Sequence, residues 1–201
     1  MDAFGKLHNR LVINRRVEIL ASWFAKLAPQ QAHILDVGCG DGLMASLLLS
    51  KRPDLRVQGI DVLARQNMSI PVAIFDGTHI PYENGVFDAV LFSDVLHHTD
   101  DPGVLLREAH RVARQCVLLK DHYRKGLAAF SRLRFMDWVG NARFGVSLPY
   151  NYWTEDQWRG AWKRIGLEPE ELITRLGLYP APASWVFGAG LHFVARLRKV
   201  S

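Results

Sequence analysis

The chain has 201 residues, 49% of them hydrophobic and 22% charged, which is typical of one globular domain that buries a substantial core. No apolar run approaches the length of a membrane span, and residues 1–6 lack the apolar stretch of a signal peptide, so we expect a cytoplasmic protein with no membrane span. The net charge is +5, but the arginines are spread along the predicted helices, so the charge alone indicates no nucleic-acid partner.

Helical and strand patterns alternate along the chain. Residues 4–28 carry apolar side chains at helical spacing up to Pro29, which predicts one long or two short helices. Short apolar runs predict strands at 33–37, 56–60, 72–75, 87–92 and 116–120, and amphipathic runs predict helices at 43–50, 101–113 and 154–166. Two final strands, near 170–176 and 190–198, are expected to pair as an antiparallel hairpin. This alternation predicts a parallel sheet covered by helices on both faces.

The segment 123–153 fits no simple connection in such a fold. It is long, and long connections are usually functional. It also follows a strand end, where ligands bind in open α/β sheets. Its aromatic residues are Phe130, Phe135, Trp138, Phe144, Tyr150, Tyr152 and Trp153. We therefore expect a helical cap over the active site, inserted into a single domain of residues 1–201 that begins with a helical segment at 1–30.

The first predicted strand leads directly into a glycine loop, in which Asp36 is followed by glycines at 38, 40 and 42. Glycine lets a backbone turn tightly and approach a ligand closely, as a nucleoside-bearing cofactor requires. The spacing differs from the G-x-G-x-x-G pattern of dinucleotide-binding loops, which disfavours a nicotinamide-dependent oxidoreductase. The pattern resembles motif I of the class I methyltransferases that depend on S-adenosyl-L-methionine (SAM).

The resemblance extends over most of the chain. The chain is similar to the group that includes ubiquinone and menaquinone biosynthesis methyltransferases. The matching stretches are 35–42, 59–62, 75–77, 87–90, 93–98 and 101–102. The resemblance implies a Rossmann-like three-layer α/β sandwich. Its sheet would have seven mostly parallel strands with an antiparallel last strand, and the helical cap would be added to it.

The resemblance also implies SAM as cofactor, with S-adenosyl-L-homocysteine as product, and it implies residues that bind them. Asp61 would accept both ribose hydroxyls, and Asp36 would bind the amino group. The other implied cofactor-binding residues are Gly38, Cys39, Gly40, Val62, Asp76, Gly77 and Ser93. Simpler interpretations remain open. Asp61 could be a helix N-cap, Asp76 and Gly77 could form only a turn, and Ser93 could cap the next helix.

Two predicted strand ends carry groups suited to proton transfer. His97 and His98 follow the fourth strand, while Asp121 and His122 close the fifth. Histidine suits a general base near neutral pH, and a carboxylate can orient it. We expect His98 or His122 as the base and Asp121 as its orienting group, although the histidines could serve only packing. No close ligand spacing supports a metal site, and we expect none.

Candidate acceptor-binding residues lie mainly in the cap, and aromatic rings there could stack on a planar substrate or a sulfonium. The candidates are His97, Tyr123, Asp137, Trp138, Asn141, Tyr150, Tyr152 and Trp153. The aromatic members could equally form the core of the cap. Arginines in the first helix (Arg10, Arg15 and Arg16) could bind a carboxylate or phosphate, or be exposed without a specific role.

The resemblance implies a methyltransferase that acts on the oxygen, nitrogen or carbon of a small aromatic or apolar acceptor. SAM binding without catalysis, or a nucleic-acid, lipid or quinone acceptor, stays open as an alternative. A nucleic-acid acceptor is less favoured, because residues 93–96 read Ser-Asp-Val-Leu where amino-base methyltransferases carry Asn/Asp-Pro-Pro-Tyr/Phe, and no nucleic-acid-binding module is added. The oligomeric state and the methylated atom are not specified by the sequence.

Overall fold

The computed structural model describes residues 3–63, 65–141, 149–188 and 190–200, and it describes their side chains except at 3–14 and 139–141. The strands are β1 His33–Val37, β2 Arg56–Asp61, β3 Val72–Ile74, β4 Phe87–Ser93, β5 Ala113–His122, β6 Leu167–Ile173 and β7 His192–Lys199. The α-helices are α1 Ala3–Leu27, α2 Leu43–Lys51, α3 Pro102–Val112, α4 Ala129–Asn141 and α5 Glu155–Ile165. A 3₁₀ turn spans Leu96–His98, and a π-helical turn spans Ser184–Gly188.

The strands form one sheet in the order β3-β2-β1-β4-β5-β7-β6. Neighbours from β3 to β5 pair in parallel. β7 lies antiparallel between β5 and β6, with His192 opposite His122. The predicted sheet, with one antiparallel strand near its end, is confirmed.

Helices cover both faces of the sheet. On one face, Phe24 of α1 and Leu48 of α2 pack with Ile34. On the other face, α3 and α5 pack against Leu35 and its neighbours, with Trp158 and Trp162 buried. Adjacent residues of β1 therefore face opposite cores, because side chains alternate along a strand. Each fully buried large apolar side chain contributes roughly 1.5–3 kcal/mol.

The helix predicted at 154–166 forms as α5. The side chain of Thr154 accepts from the Gln157 backbone amide, and the Gln157 side chain bonds back to the Thr154 amide in a capping box. Gly166 ends the helix with φ 79°, a left-handed conformation that glycine adopts without strain. Both predicted helix boundaries are confirmed.

The chain following β5 contains the helix of the predicted cap. This helix, α4, lies in the segment 123–153. Residues 142–148, including Phe144, lie outside the described residues. The segment 149–153 returns to the sheet, where the amide of Asn151 donates to the His97 carbonyl and its side chain donates to the Asp100 carbonyl. Within the described ranges, no helix is long and apolar enough to cross a bilayer.

Candidate active site

A cavity of about 920 Å³ opens at the carboxyl ends of β1, β2, β4 and β5. Its walls also include Arg16 and Leu20 of α1 and Met136 and Asp137 of α4. The volume is in the range that holds a small ligand or cofactor. Because parallel strands end at one edge of the sheet, this cavity lies where α/β folds bind ligands.

The glycine loop forms one end of the cavity. Gly38, Gly40 and Gly42 have φ of 70°, 62° and 76°, which L side chains rarely adopt. A Cβ on Gly38 would lie 2.7 Å from Cγ2 of Val95, too close to be accommodated without movement. The loop is fixed to β2 by the Gly38 amide, which donates to the Ile60 carbonyl at 2.8 Å.

Asp61 joins this loop to the end of β2. Its carboxylate accepts from the Gly40 amide at 2.8 Å and from the Leu63 amide at 2.9 Å. The side chain is buried in the protein and lies on the cavity wall. These two hydrogen bonds from backbone amides fix the direction of the carboxylate toward the cavity. Its remaining lone pairs can accept there from a ligand hydroxyl.

Asp36 is a buried carboxyl on the same wall. Among the described residues, no side chain or backbone group donates to it. Burial and the charge of Asp61 raise its pKa to about 8. The raised pKa keeps this carboxyl largely protonated near neutral pH, and a cation bound beside it would favour the carboxylate form. The site therefore fits a ligand with a positive group at this position, as the amino group of SAM is.

Most other predicted cofactor residues also reach the cavity: Cys39, Val62, Gly77 and Ser93 line it. Asp76 does not. Its carboxylate accepts from the amides of Thr78 and His79, both at 2.7 Å, and so caps the turn after β3. Gly40 contributes its amide to Asp61 but no part of the wall.

His98 and His122 both lie on the cavity wall, as predicted for a base. Burial and the nearby charge of His97 lower the pKa of His98, whose Nδ1 has no partner among the described residues. Burial and the charge of Lys120 hold the pKa of His122 well below its ordinary value. Both imidazoles are therefore neutral at neutral pH, the form that can accept a proton.

His97, in contrast, is enclosed behind the wall. Its Nδ1 lies 2.7 Å from Oδ1 of Asp121, and its Nε2 lies 3.3 Å from Oδ2 of Asp137. Burial opposes its charge, but the two carboxylates outweigh burial and raise the pKa of His97 to about 10. His97 is thus a buried cation rather than the acceptor contact that the sequence predicts.

Asp121 contacts both buried histidines. Besides His97, its Oδ1 accepts from the His122 amide at 2.8 Å and lies 3.3 Å from the His122 Nδ1. Burial raises the pKa of this carboxyl, but the His97 charge outweighs burial and lowers it. The residue therefore lies where a group that orients histidine is expected, although its strongest partner is His97.

A second charged group, missed by the sequence analysis, lies beside the histidines. Asp94 accepts from Arg16 Nη2 at 2.6 Å and from Lys120 Nζ. Burial lowers the pKa of Lys120 to about 8, although Asp94 favours its charged form. Asp94 has φ 60°, an uncommon conformation outside glycine that is often found at functional sites. The sequence could have indicated this pairing, since Asp94 directly follows β4 and Lys120 lies opposite Ser93 on the neighbouring strand β5.

The predicted acceptor residues divide into three groups. Asp137 lines the cavity. Tyr152 does not line it, but its hydroxyl donates a hydrogen bond to Oδ2 of Asp137. Tyr123 and Trp153 lie instead in the core: Tyr123 stacks on Phe193 at 4.3 Å, and Trp153 contacts Trp158 at 4.9 Å. Tyr150 contacts the ring of Tyr152, Trp138 is exposed, and the side chain of Asn141 lies outside the described part.

The histidines and carboxylates are close enough for their ligand atoms to form two groups of three within 4.8 Å: Asp94, His97 and His122, and His97, His98 and Asp137. His97 belongs to both groups. With its pKa raised by two carboxylates, a protonated His97 has no lone pair to offer a metal. The predicted absence of a metal remains a prediction.

Comparisons with known proteins agree with this geometry. A family model described as a methyltransferase domain matches residues 11–172. A malonyl-[acyl-carrier protein] O-methyltransferase of Geobacter sulfurreducens is 28% identical over 190 residues, covering 86% of this chain and 67% of that protein.

Solved structures show the same fold. A putative methyltransferase in complex with the Haloferax volcanii activator Trm112 superposes with a TM-score of 0.69 at 14% identity, covering 99% of this chain and 98% of that one. A Burkholderia thailandensis 1,6-didemethyltoxoflavin N1-methyltransferase with S-adenosylhomocysteine bound gives a TM-score of 0.63 at 20% identity, covering 92% and 79%.

Proposed function

We propose that this chain, which belongs to the methyltransferase-domain family, binds SAM and transfers its methyl group to a small acceptor. One observation carries the proposal: a single cavity joins the glycine loop with Asp36 and Asp61 at one end to two neutral histidines at the other. The first end has the chemistry to hold the cofactor, and the second end has the chemistry to activate an acceptor.

The cofactor would be held by two carboxylates, a hydroxyl group and an apolar contact. Asp61 would accept from the ribose hydroxyls, and Asp36 would pair with the amino group. Val62 is half-exposed at the cavity edge and offers an apolar surface for the adenine. Ser93, at the end of β4, would face the methionine carboxylate. Asp76 is left out of the proposed set, because its carboxylate caps the turn after β3 and does not line the cavity.

When bound, SAM supplies a methyl group on a sulfonium centre that is already activated for transfer. The protein then has to align the acceptor and remove a proton where the acceptor carries one. His98 has the better position for the second task, because it is neutral, half-buried and on the wall. The fixed positive charge of His97, whose ring lies 4.1 Å away, would favour release of the proton that His98 takes up.

The acceptor side combines apolar and polar surface. Val17, Leu20 and Met136 would contact an apolar or aromatic body, while Arg16 and Asp137 would contact a polar group. The Geobacter relative is named as a malonyl-[acyl-carrier protein] O-methyltransferase, so acceptors that carry a carboxylate belong in the first screen. Lipids and quinones fit the apolar part equally.

Titration calorimetry with SAM and S-adenosylhomocysteine, with NAD⁺ as control, tests the first half of the proposal. Micromolar binding of the SAM pair alone is expected, and its absence would overturn the assignment. Transfer of a labelled methyl group from SAM to carboxylic acids, amines, phenols and quinones tests the second half. Binding without transfer to any class would favour the alternative of a SAM-binding protein without catalysis.

A further inference from the structure

The large apolar side chains that protrude furthest lie mostly around the cap. Leu127 is 95% exposed, Trp185 75%, Trp138 57%, Phe135 53% and Val186 47%. We call these five residues the apolar cap surface. Protein surfaces rarely expose this many large apolar side chains in one region unless the region binds a partner.

These residues come from two segments that are joined by direct contacts. Arg132 donates to the Val186 carbonyl at 3.1 Å and to the Leu127 carbonyl at 3.2 Å. Phe135 stacks with Phe187 at 6.5 Å between ring centroids, and it lies at the same distance from Trp138. The α4 region and the π-helical turn therefore present one continuous surface.

The same two segments carry the net charge of the whole chain. Residues 123–153 contain five Lys or Arg residues and one acid, and residues 174–191 add Arg175 and no acid. Their excess equals the chain's net charge of +5, so the remaining residues are balanced. Of the five, Arg143 lies outside the described residues. The one acid of these segments, Asp137, is buried on His97 and Tyr152 and does not offset the surface cations, of which Lys125 lies 3.9 Å from Glu155 of α5.

We propose that the apolar cap surface docks on an anionic lipid membrane. Trp and Phe side chains suit the interface between headgroups and hydrocarbon, and nearby Lys and Arg bind anionic headgroups. A second copy of this chain is disfavoured, because two such basic surfaces repel each other. Nucleic acid is less favoured, because the most exposed side chain of the surface, Leu127, and its neighbour Val186 are aliphatic and add nothing to the stacking that the aromatic members could offer a base.

Docking through the apolar cap surface would place the cavity next to the membrane. Met136 and Asp137 line the cavity from the helix that also carries Phe135 and Trp138. A lipid-borne acceptor could then reach the cavity beneath α4. This last step depends on the proposed methyltransferase function, whereas the docking itself does not.

Co-sedimentation of the full chain with vesicles tests the docking without cofactor or acceptor. Vesicles of phosphatidylcholine with about 30% phosphatidylglycerol should bind the protein at least about tenfold more tightly than pure phosphatidylcholine, and about 0.5 M salt should abolish most of the difference. Equal affinity for the two vesicle types, or no binding to either, would overturn the proposal.

Variants then locate the surface. The double variant Leu127→Ala/Trp185→Ala should lower vesicle affinity by at least about tenfold, and Arg124→Gln/Lys125→Gln by more than about tenfold. Ile74→Ala is the matched control, since Ile74 is 54% exposed on β3 and lies in neither segment; it should bind like the wild type. Circular dichroism verifies that each variant is folded. A control that loses as much affinity as the cap variants would refute the location.

Two further measurements distinguish membrane docking from binding of another partner and from the proposed methyltransferase function. Concentration-dependent dimerisation that Trp185→Ala abolishes, or binding of an acidic protein or RNA without binding of vesicles, would overturn the membrane assignment. Vesicle binding by a protein that shows no SAM binding in calorimetry would leave the docking intact while the proposed function fails. The two proposals can therefore fail independently.

Discussion

His97 and Asp121 form a fully buried ion pair below the cavity, with Nδ1 2.7 Å from Oδ1. Two buried charges are costly to desolvate, and they are tolerated only when further contacts satisfy them. Here Asp137 lies on the other side of the imidazole, and Asp121 also accepts from the His122 amide. The pair links β5, the 3₁₀ turn and α4, and it places a fixed positive charge beside His98.

Asp61→Ala should weaken SAM binding by roughly 1–3 kcal/mol, the usual scale for losing charge-assisted hydrogen bonds. The carboxylate faces the cavity and is held by two backbone amides. Calorimetry measures the loss. Glu83→Ala removes an exposed carboxylate at a remote turn and should bind SAM like the wild type. Unchanged affinity in Asp61→Ala would remove this residue from the cofactor site.

His98→Ala should lower kcat by about 10²–10⁴ with SAM affinity unchanged, which is the range for losing a general base. His98 lies on the cavity wall in its neutral form. His122→Ala should have a smaller effect on kcat, because this ring is enclosed and contacts Asp94 and Asp121. His110→Gln, on α3, is the control. If His122→Ala loses more rate than His98→Ala, the two roles are reversed.

The rate should rise with pH through an apparent pKa below the ordinary histidine value and then level off. The sign follows from the base: His98 must be unprotonated to act, and burial together with the His97 charge lowers its pKa. A pH–kcat/KM profile of the wild type measures this. A profile whose rising limb lies above the ordinary histidine value would assign the titration to another group.

His97 should stabilise the fold most below pH 6.5 and less as the pH rises toward 10. Its pKa is raised from 6.5 to about 10 in the folded chain, so the folded state holds its proton more tightly than the unfolded state does. Lys120, with a pKa lowered to about 8, acts in the opposite direction. The difference in unfolding free energy between wild type and His97→Gln isolates the first effect, and a difference that is constant between pH 6 and 10 would contradict it.

Dialysis against EDTA should leave methyl transfer unchanged, and added Zn²⁺ or Mg²⁺ should not increase it. His97 belongs to both groups of possible metal ligands and is protonated between two carboxylates, so it has no lone pair for a metal. Metal content of the purified protein gives an independent readout. Loss of activity in EDTA that one metal restores would replace the ion-pair interpretation with a metal site.

Local patterns were sufficient to predict the sheet and the glycine-loop end of the cavity. The run from His33 through Gly42 specifies a strand, a turn and close backbone approach within ten neighbouring positions. Asp61 could be placed for the same reason, because a residue at the end of a parallel strand lies at the edge where ligands bind. The register of that strand with β1 is then fixed by burial on both faces.

The end of the cavity that carries the histidines could not be predicted in the same detail. His97 and His98 are adjacent in the sequence, which gives no sign of how their environments differ. In the structure His97 is an enclosed cation, whereas His98 is a neutral group on the cavity wall. Tyr123 was expected near the acceptor but stacks in the core on Phe193. Which way such side chains point depends on elements distant in the chain, above all α4 and the segment 149–153.

The sequence by itself determined the alternation of elements, the glycine loop and the carboxylates at the strand ends, because each depends on residues a few positions apart. Only the tertiary structure decided which ionisable groups are paired, which are neutral and where the net charge is exposed. Those properties depend on distance and burial in space: Asp94 becomes a partner of Arg16 across 78 positions, and Arg132 reaches the Val186 carbonyl, next to Trp185, across 54 positions.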